Sequence, residues 1–270
     1  EDTRGGREDF QSDFSVMSDE EVRRIEDRCN YFYNNTEYGM IGGGAIAGLG
    51  DFALIPGPNV KEPKGIRNVP DFMMAHMICP DYIHEIFEYQ TEIALKNAEL
   101  FRQACGDKIQ ALCISGTDFG TQKGPFMSLE SFREFYKPYY KKINDWVHKN
   151  TNWKTFYHTC GAISEFLQDF YEMGADILNP VQLSAAGMDG KMLKNEWGDK
   201  FTFWGGGVDT QKTLPFGTPE EVYNEVTERL ELFSKGGGFV FNAVHNIQGQ
   251  TSAENMMAMI NAIEDFNKRK

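Results

Sequence analysis

At 270 residues the chain is long enough for one large α/β domain with a well-buried core. Hydrophobic residues make up 41% and charged residues 25%, an ordinary balance that excludes wholesale disorder. A formal net charge of −13 repels phosphate backbones, and no apolar run approaches the ~20 residues of a membrane span, so neither nucleic acid nor membrane is expected as a partner. Five cysteines, an odd number spread over a long chain, do not form a disulfide framework, and Glu1-Asp2-Thr3-Arg4 begins no signal peptide. A cytoplasmic, reducing setting is the expectation.

In chain order, residues 1–17 are polar and read as a loop or tail. Ser18-Asp19-Glu20-Glu21 is a helix start, a hydroxyl cap with a carboxylate three positions on, and Val22, Ile25 and Cys29 follow at helical spacing. The region 42–80 reads as a long insertion or lid within a single domain spanning 1–270. Strands are predicted near Tyr38–Ile41, Ile109–Ser115, Thr155–Cys160, Ile177–Val181, Phe201–Trp204 and Phe239–Val244. Helices are predicted near Pro80–Cys105, Leu129–Lys149, Ile163–Met173, Pro219–Ser234 and Ala253–Asn267. Ser128 and Thr218 mark two of the starts, each with an acidic first turn behind it, and Pro219 supplies the first helical position of the second.

Short strands alternating with helices call for a parallel sheet. An open doubly wound sheet and a closed TIM (β/α)8 barrel both fit six strands; a barrel would leave its first one or two strands outside this sequence. The triplets Gly42–Gly44, Gly205–Gly207 and Gly236–Gly238 lack the G-x-G-x-x-G and G-x-x-x-x-G-K-[ST] spacings that cradle phosphate, so they read as turns and close backbone approaches.

Polar groups collect where the strands end. Ile109–Ser115 runs into Asp118 and Gln122; the next strand ends in His158-Thr159-Cys160-Gly161, the one after in Asn179-Pro180-Val181-Gln182. Phe201–Trp204 leads to Asp209, and Phe239–Val244 to His245-Asn246. In a parallel α/β protein these ends share one face, which in a barrel is the active-site face. Residues two apart on a strand point to the same side, so His158 and Cys160 can share one ion, with His245 as third ligand. Zinc is the expected metal. Asp118 and His245 are the expected catalytic residues, although Asp118 also suits plain turn chemistry. Gln122, Asn179, Gln182, Asp209 and Asn246 are expected to bind a small-molecule substrate. His76, His84 and His148, the cysteines 29, 79, 105 and 113, and the methionines 256, 257 and 259 read as packing residues.

The stretches Asp118-Phe119-Gly120-Thr121-Gln122, His158-Thr159-Cys160-Gly161 and Asp176–Gln182 resemble the uroporphyrinogen decarboxylase-like superfamily. So do Phe203–Gln211, Leu214–Glu221 and His245–Gln248, in order and spacing. The resemblance implies a TIM barrel with two main branches. One branch decarboxylates acetate side chains of a porphyrinogen without metal. The other, the methylcobalamin:thiol methyltransferases, uses zinc held by a His-x-Cys pair and a distant Cys. His158 and Cys160 match the pair; the distant Cys falls at His245, the residue type of the decarboxylase branch. The decarboxylase motifs that hold substrate carboxylates belong to the first part of the family's chain and have no counterpart here. Three functions stay open: zinc-dependent methyl transfer from a corrinoid (methylcobalamin) on a carrier protein to a thiol-type acceptor, a carboxy-lyase acting on a tetrapyrrole, and a non-catalytic corrinoid-binding protein.

Overall fold

The computed structural model describes residues 15–51 and 69–269, which fall into two compact units. The first takes in the described residues up to Asp118 together with Met127–Tyr157 and Gln168–Ala175. The second takes in Phe119–Phe126, His158–Leu167 and the residues from Asp176 onward. Among the described residues no helix is long and apolar enough to cross a membrane.

The first unit opens on α1 (Asp19–Asn35), started by the reciprocal cap the sequence announces: Glu21 N–H donates to Ser18 Oγ (3.3 Å), and Ser18 N–H donates to Glu21 Oε2 (2.8 Å). After β1 (Ile41–Gly42) come α2 (Val69–Ile78) and α3 (Pro80–Cys105). Pro80 at the first position costs α3 no hydrogen bond. Ile83, Ile86, Phe87, Ile93, Ala94 and Phe101 recur at helical spacing and are its buried face. The Phe87 ring lies 5.0 Å from Tyr136 and 6.4 Å from Phe72, and His76 sits in the same aromatic cluster, 4.8 Å from both Phe72 and Phe135. Burial there lowers the His76 pKa, so the residue packs as a neutral ring.

β2 (Ala111–Ser115) pairs in parallel with β1 on one side and with β3 (Lys154–His158) on the other. Beyond β2 a hydroxyl network holds the loops at the strand ends. Ser115 Oγ meets Tyr140 OH (2.7 Å), and Thr117 Oγ1 donates to Leu49 O (2.8 Å), all of it buried. α4 (Leu129–Ser131), a π-helical turn (Phe132–Tyr136) and α5 (Lys137–Asn150) form one continuous helical stretch, capped by Ser128 accepting from Ser131 N–H.

That stretch is tied to α6 (Leu167–Glu172) by a buried carboxylate: Asp169, 1% exposed, accepts from Arg133 Nε (2.9 Å) and Lys137 Nζ (2.7 Å). Burial alone would raise the Asp169 pKa, but the Arg133 and Lys137 hydrogen bonds outweigh it and the value falls below the usual carboxylate range. A depressed folded value gives stability that is present above the ordinary carboxylate pKa of ~4 and lost as pH falls through the folded value. Asp169→Asn should therefore cost about 2 kcal/mol in urea denaturation at pH 7 and less at a pH below the folded value. An equal cost at both pH values would show that charge plays no part.

In the second unit, β4 (Ile177–Asn179), β5 (Thr202–Trp204) and β6 (Phe239–Val240) pair in parallel, and Thr159, just after β3, donates to Asn179 O at the end of β4 (2.8 Å). Spatial neighbours are thus neighbours in the chain. Between the strands lie α7 (Gly190–Trp197), the short α8 (Thr213–Phe216) and α9 (Pro219–Phe233); α10 (Ala253–Lys268) closes the order. α9 starts with a second reciprocal cap, Thr218 with Glu221. Val222, Val226 and Leu230 of α9 form one apolar cluster with Val208, Leu214, Met259 and Ala262, so Met259 is a packing residue.

The structure departs from the sequence expectation in three places. Part of the region 42–80, read as an insertion or lid, is the helix α2; its apolar residues Met74, Met77 and Ile78 are exposed and blur the 3.6-residue period. Residues 52–68 of that region, like 1–14 of the polar tail, lie outside the described residues. α7 is a further helix, opened by Asp189 accepting from Met192 N–H (2.8 Å) and disguised by glycine at its first position. β6 is two residues long, yet its backbone runs on beside the Gly205–Val208 segment: Gly207 N–H donates to Asn242 O (2.9 Å), and Val244 N–H to Val208 O (3.1 Å).

Candidate metal centre

Three donor side chains of the second unit meet. His158 ends β3 and Cys160 follows two residues on, which brings His158 Nε2 within 3.4 Å of Cys160 Sγ. His245 follows the β6 extension, with its ring centroid 6.1 Å from that of His158. One ligand atom from each of the three residues lies within 4.8 Å of the others. A tetrahedral zinc with bonds of ~2.0–2.3 Å needs donor atoms roughly 3.3–3.6 Å apart. His158 and Cys160 stand at that spacing. The widest separation exceeds the 3–4 Å a preformed site requires, and His245 is the exposed member of the three. A thiol and two imidazoles suit a borderline-soft ion, so the donor set fits zinc by chemistry.

The partners of His158 are ordered in turn. Its Nδ1 lies 2.6 Å from Asn179 Oδ1, and Asn179 Nδ2 donates to Trp204 O (2.7 Å). A cleft of about 440 Å3 adjoins the donors, with His158, Asn179, Asn242, His245 and Asn246 in its wall. Asn242 is the cleft residue that sequence reasoning passed over, because it was placed inside a strand running to Val244. Its signal was position: an amide three residues before His245.

Glycines make the strand ends possible. Gly205, at φ 135°, lies so close to Pro180 that a Cβ would stand 1.9 Å from the Pro180 carbonyl oxygen, and Gly206 N–H donates to that same oxygen (2.9 Å). Between them Val181 takes φ 59°, a left-handed conformation that is costly for a β-branched residue. The strain sits two residues after Asn179.

The expected substrate-binding amides and carboxylates divide. Asn246 is exposed in the cleft wall. Gln182 instead accepts from Gly161 N–H (2.9 Å) and donates to Gln122 Oε1 (2.7 Å), while Gln122 donates to Ser184 O, so this pair fastens loops. Asp209 Oδ1 accepts from the N–H groups of Gln211 (2.6 Å) and Lys212 (3.0 Å), closing its own turn. Asp118 is half-buried, three residues after the end of β2, in the first unit.

Residues 61–266 match the family model described as Uroporphyrinogen decarboxylase (URO-D). The chain belongs to that family. It is 26% identical over 196 residues to a uroporphyrinogen decarboxylase of Ruthia magnifica subsp. Calyptogena magnifica, covering 70% of this chain and 51% of the relative. It is 36% identical over 76 residues to the enzyme of that name from Pseudoalteromonas translucida (strain TAC 125), covering 28% of this chain and 21% of the relative. The chain thus spans about half, or less, of the length of the curated relatives it matches. Among solved structures, a methyltransferase from Methanosarcina mazei superposes with a TM-score of 0.64 at 22% identity, over 91% of this chain and 64% of that one. At that identity the likeness is one of fold.

Proposed function

We propose that this family member is a zinc-dependent methyltransferase that moves a methyl group from a corrinoid, methylcobalamin, to a thiol-type acceptor. The observation that carries the reading is the convergence of His158 Nε2, Cys160 Sγ and a ring nitrogen of His245. These three residues would hold the ion. Zinc, when bound, supplies a Lewis acid that deprotonates and holds an acceptor sulfur. Asn246 and Asn242 offer amide donors and acceptors to the acceptor molecule in the cleft. The six parallel strands are part of a (β/α)8 barrel in this reading, the setting is cytoplasmic, and a corrinoid-carrying protein is the partner.

A second reading, a carboxy-lyase acting on a tetrapyrrole, draws on the curated relatives, which carry the name uroporphyrinogen decarboxylase. One pair of assays separates the two. The protein should demethylate methylcobalamin in the presence of a thiol, followed by the change in corrin absorbance, and a chelator should abolish the reaction. Release of CO2 from a porphyrinogen by metal-free protein would overturn methyl transfer in favour of the lyase.

A further inference from the structure

We propose that Asn179 is a positioning residue of the metal centre: its carboxamide holds the proton of neutral His158 on Nδ1 and leaves the Nε2 lone pair facing Cys160. The inference rests on the metal reading above and deepens it. Asn179 closes β4 and is buried, and its two side-chain polar atoms have different neighbours. The atom 2.7 Å from the Trp204 carbonyl oxygen has to be a donor, because two oxygens at that distance repel; it is Nδ2. The atom 2.6 Å from His158 Nδ1 is then Oδ1, which offers only lone pairs. A neutral imidazole that faces an acceptor at Nδ1 carries its proton there, so Nε2 presents its lone pair where it faces Cys160 Sγ at 3.4 Å.

The opposite tautomer fails twice. It sets two lone pairs against each other at 2.6 Å, and it places a proton where an ion has to sit. The anchor is rigid as well. Trp204 belongs to β5 and is paired with Val240 of β6, and the next residue, Gly205, donates to Val240 O (3.1 Å). Orientation therefore passes from the sheet backbone through one amide to the ligand nitrogen, the arrangement that tunes metal-binding histidines. Both polar ends of the Asn179 side chain are engaged within the protein.

The test begins with the wild-type, metal-free protein carrying 15N-labelled histidine, above pH ~8 where imidazoles are neutral. Long-range proton–nitrogen couplings should show His158 with its proton on Nδ1, the resonance being identified by its loss in His158→Gln. A proton on Nε2 overturns the proposal and needs no variant. Asn179→Leu should then lower zinc affinity, measured against a competing chelator, by roughly 10–100-fold. An N179L protein that folds and binds zinc as tightly as wild type overturns it equally. Wild-type protein that shows the Nδ1–H tautomer and binds no zinc upholds the positioning of His158 and strikes the metal reading alone.

Discussion

Replacing Cys160 by serine is expected to lower zinc affinity by at least ~100-fold, beyond the range usual for a residue that merely supports a ligand. The thiolate is the strongest donor of the three, and a serine hydroxyl in its place stays protonated. Competition with a chromophoric chelator measures the loss, and two other cysteines supply the control. Burial pushes the Cys113 thiol up to about 11, and burial together with neighbouring Cys29 pushes that of Cys105 up to about 12. Neither thiol belongs to the donor cluster. Cys113→Ser and Cys105→Ser should therefore leave zinc affinity unchanged. If all three variants bind alike, the ion does not sit at Cys160.

Gly205→Ala should be the most damaging single methyl added to the second unit. The new Cβ would stand 1.9 Å from the Pro180 oxygen, a backbone atom that cannot turn aside, and φ 135° is foreign to an L-residue. Strain and overpacking together amount to on the order of 4 kcal/mol. Gly236 gives the comparison. It has φ 72°, but nothing lies within 4 Å of its missing Cβ, so Gly236→Ala pays the conformational term alone, about 1 kcal/mol. Urea denaturation of the two variants should separate their midpoints widely. Equal midpoints would mean that the approach of Gly205 to Pro180 carries no energetic weight.

What the sequence disclosed follows the range of the interactions involved. Caps act within one turn, so Ser18, Ser128 and Thr218 announced α1, α4 and α9 to the residue. The His158 and Cys160 pair was also local, since two positions at a strand end suffice to bring imidazole and thiol together. His245 entered by its place at another strand end, because nothing near it in the chain tells of a partner on β3. The amides were the least legible residues. Asn, Gln and backbone groups can satisfy one another in many ways, and only the folded chain shows that Gln122 and Gln182 spend their groups on loops. Likewise Asn179 needed the carbonyl of Trp204, distant in sequence, to fix which of its ends faces His158. α2 and α7 went unseen because exposed methionines and an opening glycine erase the apolar period that marks a helix.

The unequal exposure of the three donors bears on which ion such a centre would prefer. His158 and Cys160 are half-buried and held at 3.4 Å, whereas His245 is exposed on a loop. A cage discriminates by radius only when all of its walls are enclosed, and here one of the three donors is exposed. Discrimination then passes from size to softness. The sulfur of Cys160 disfavours magnesium and calcium, which seek oxygen, while copper, which stands above zinc in the general affinity order, is met with no geometric objection. The centre would thus rely on the metal supply around it to be filled with zinc.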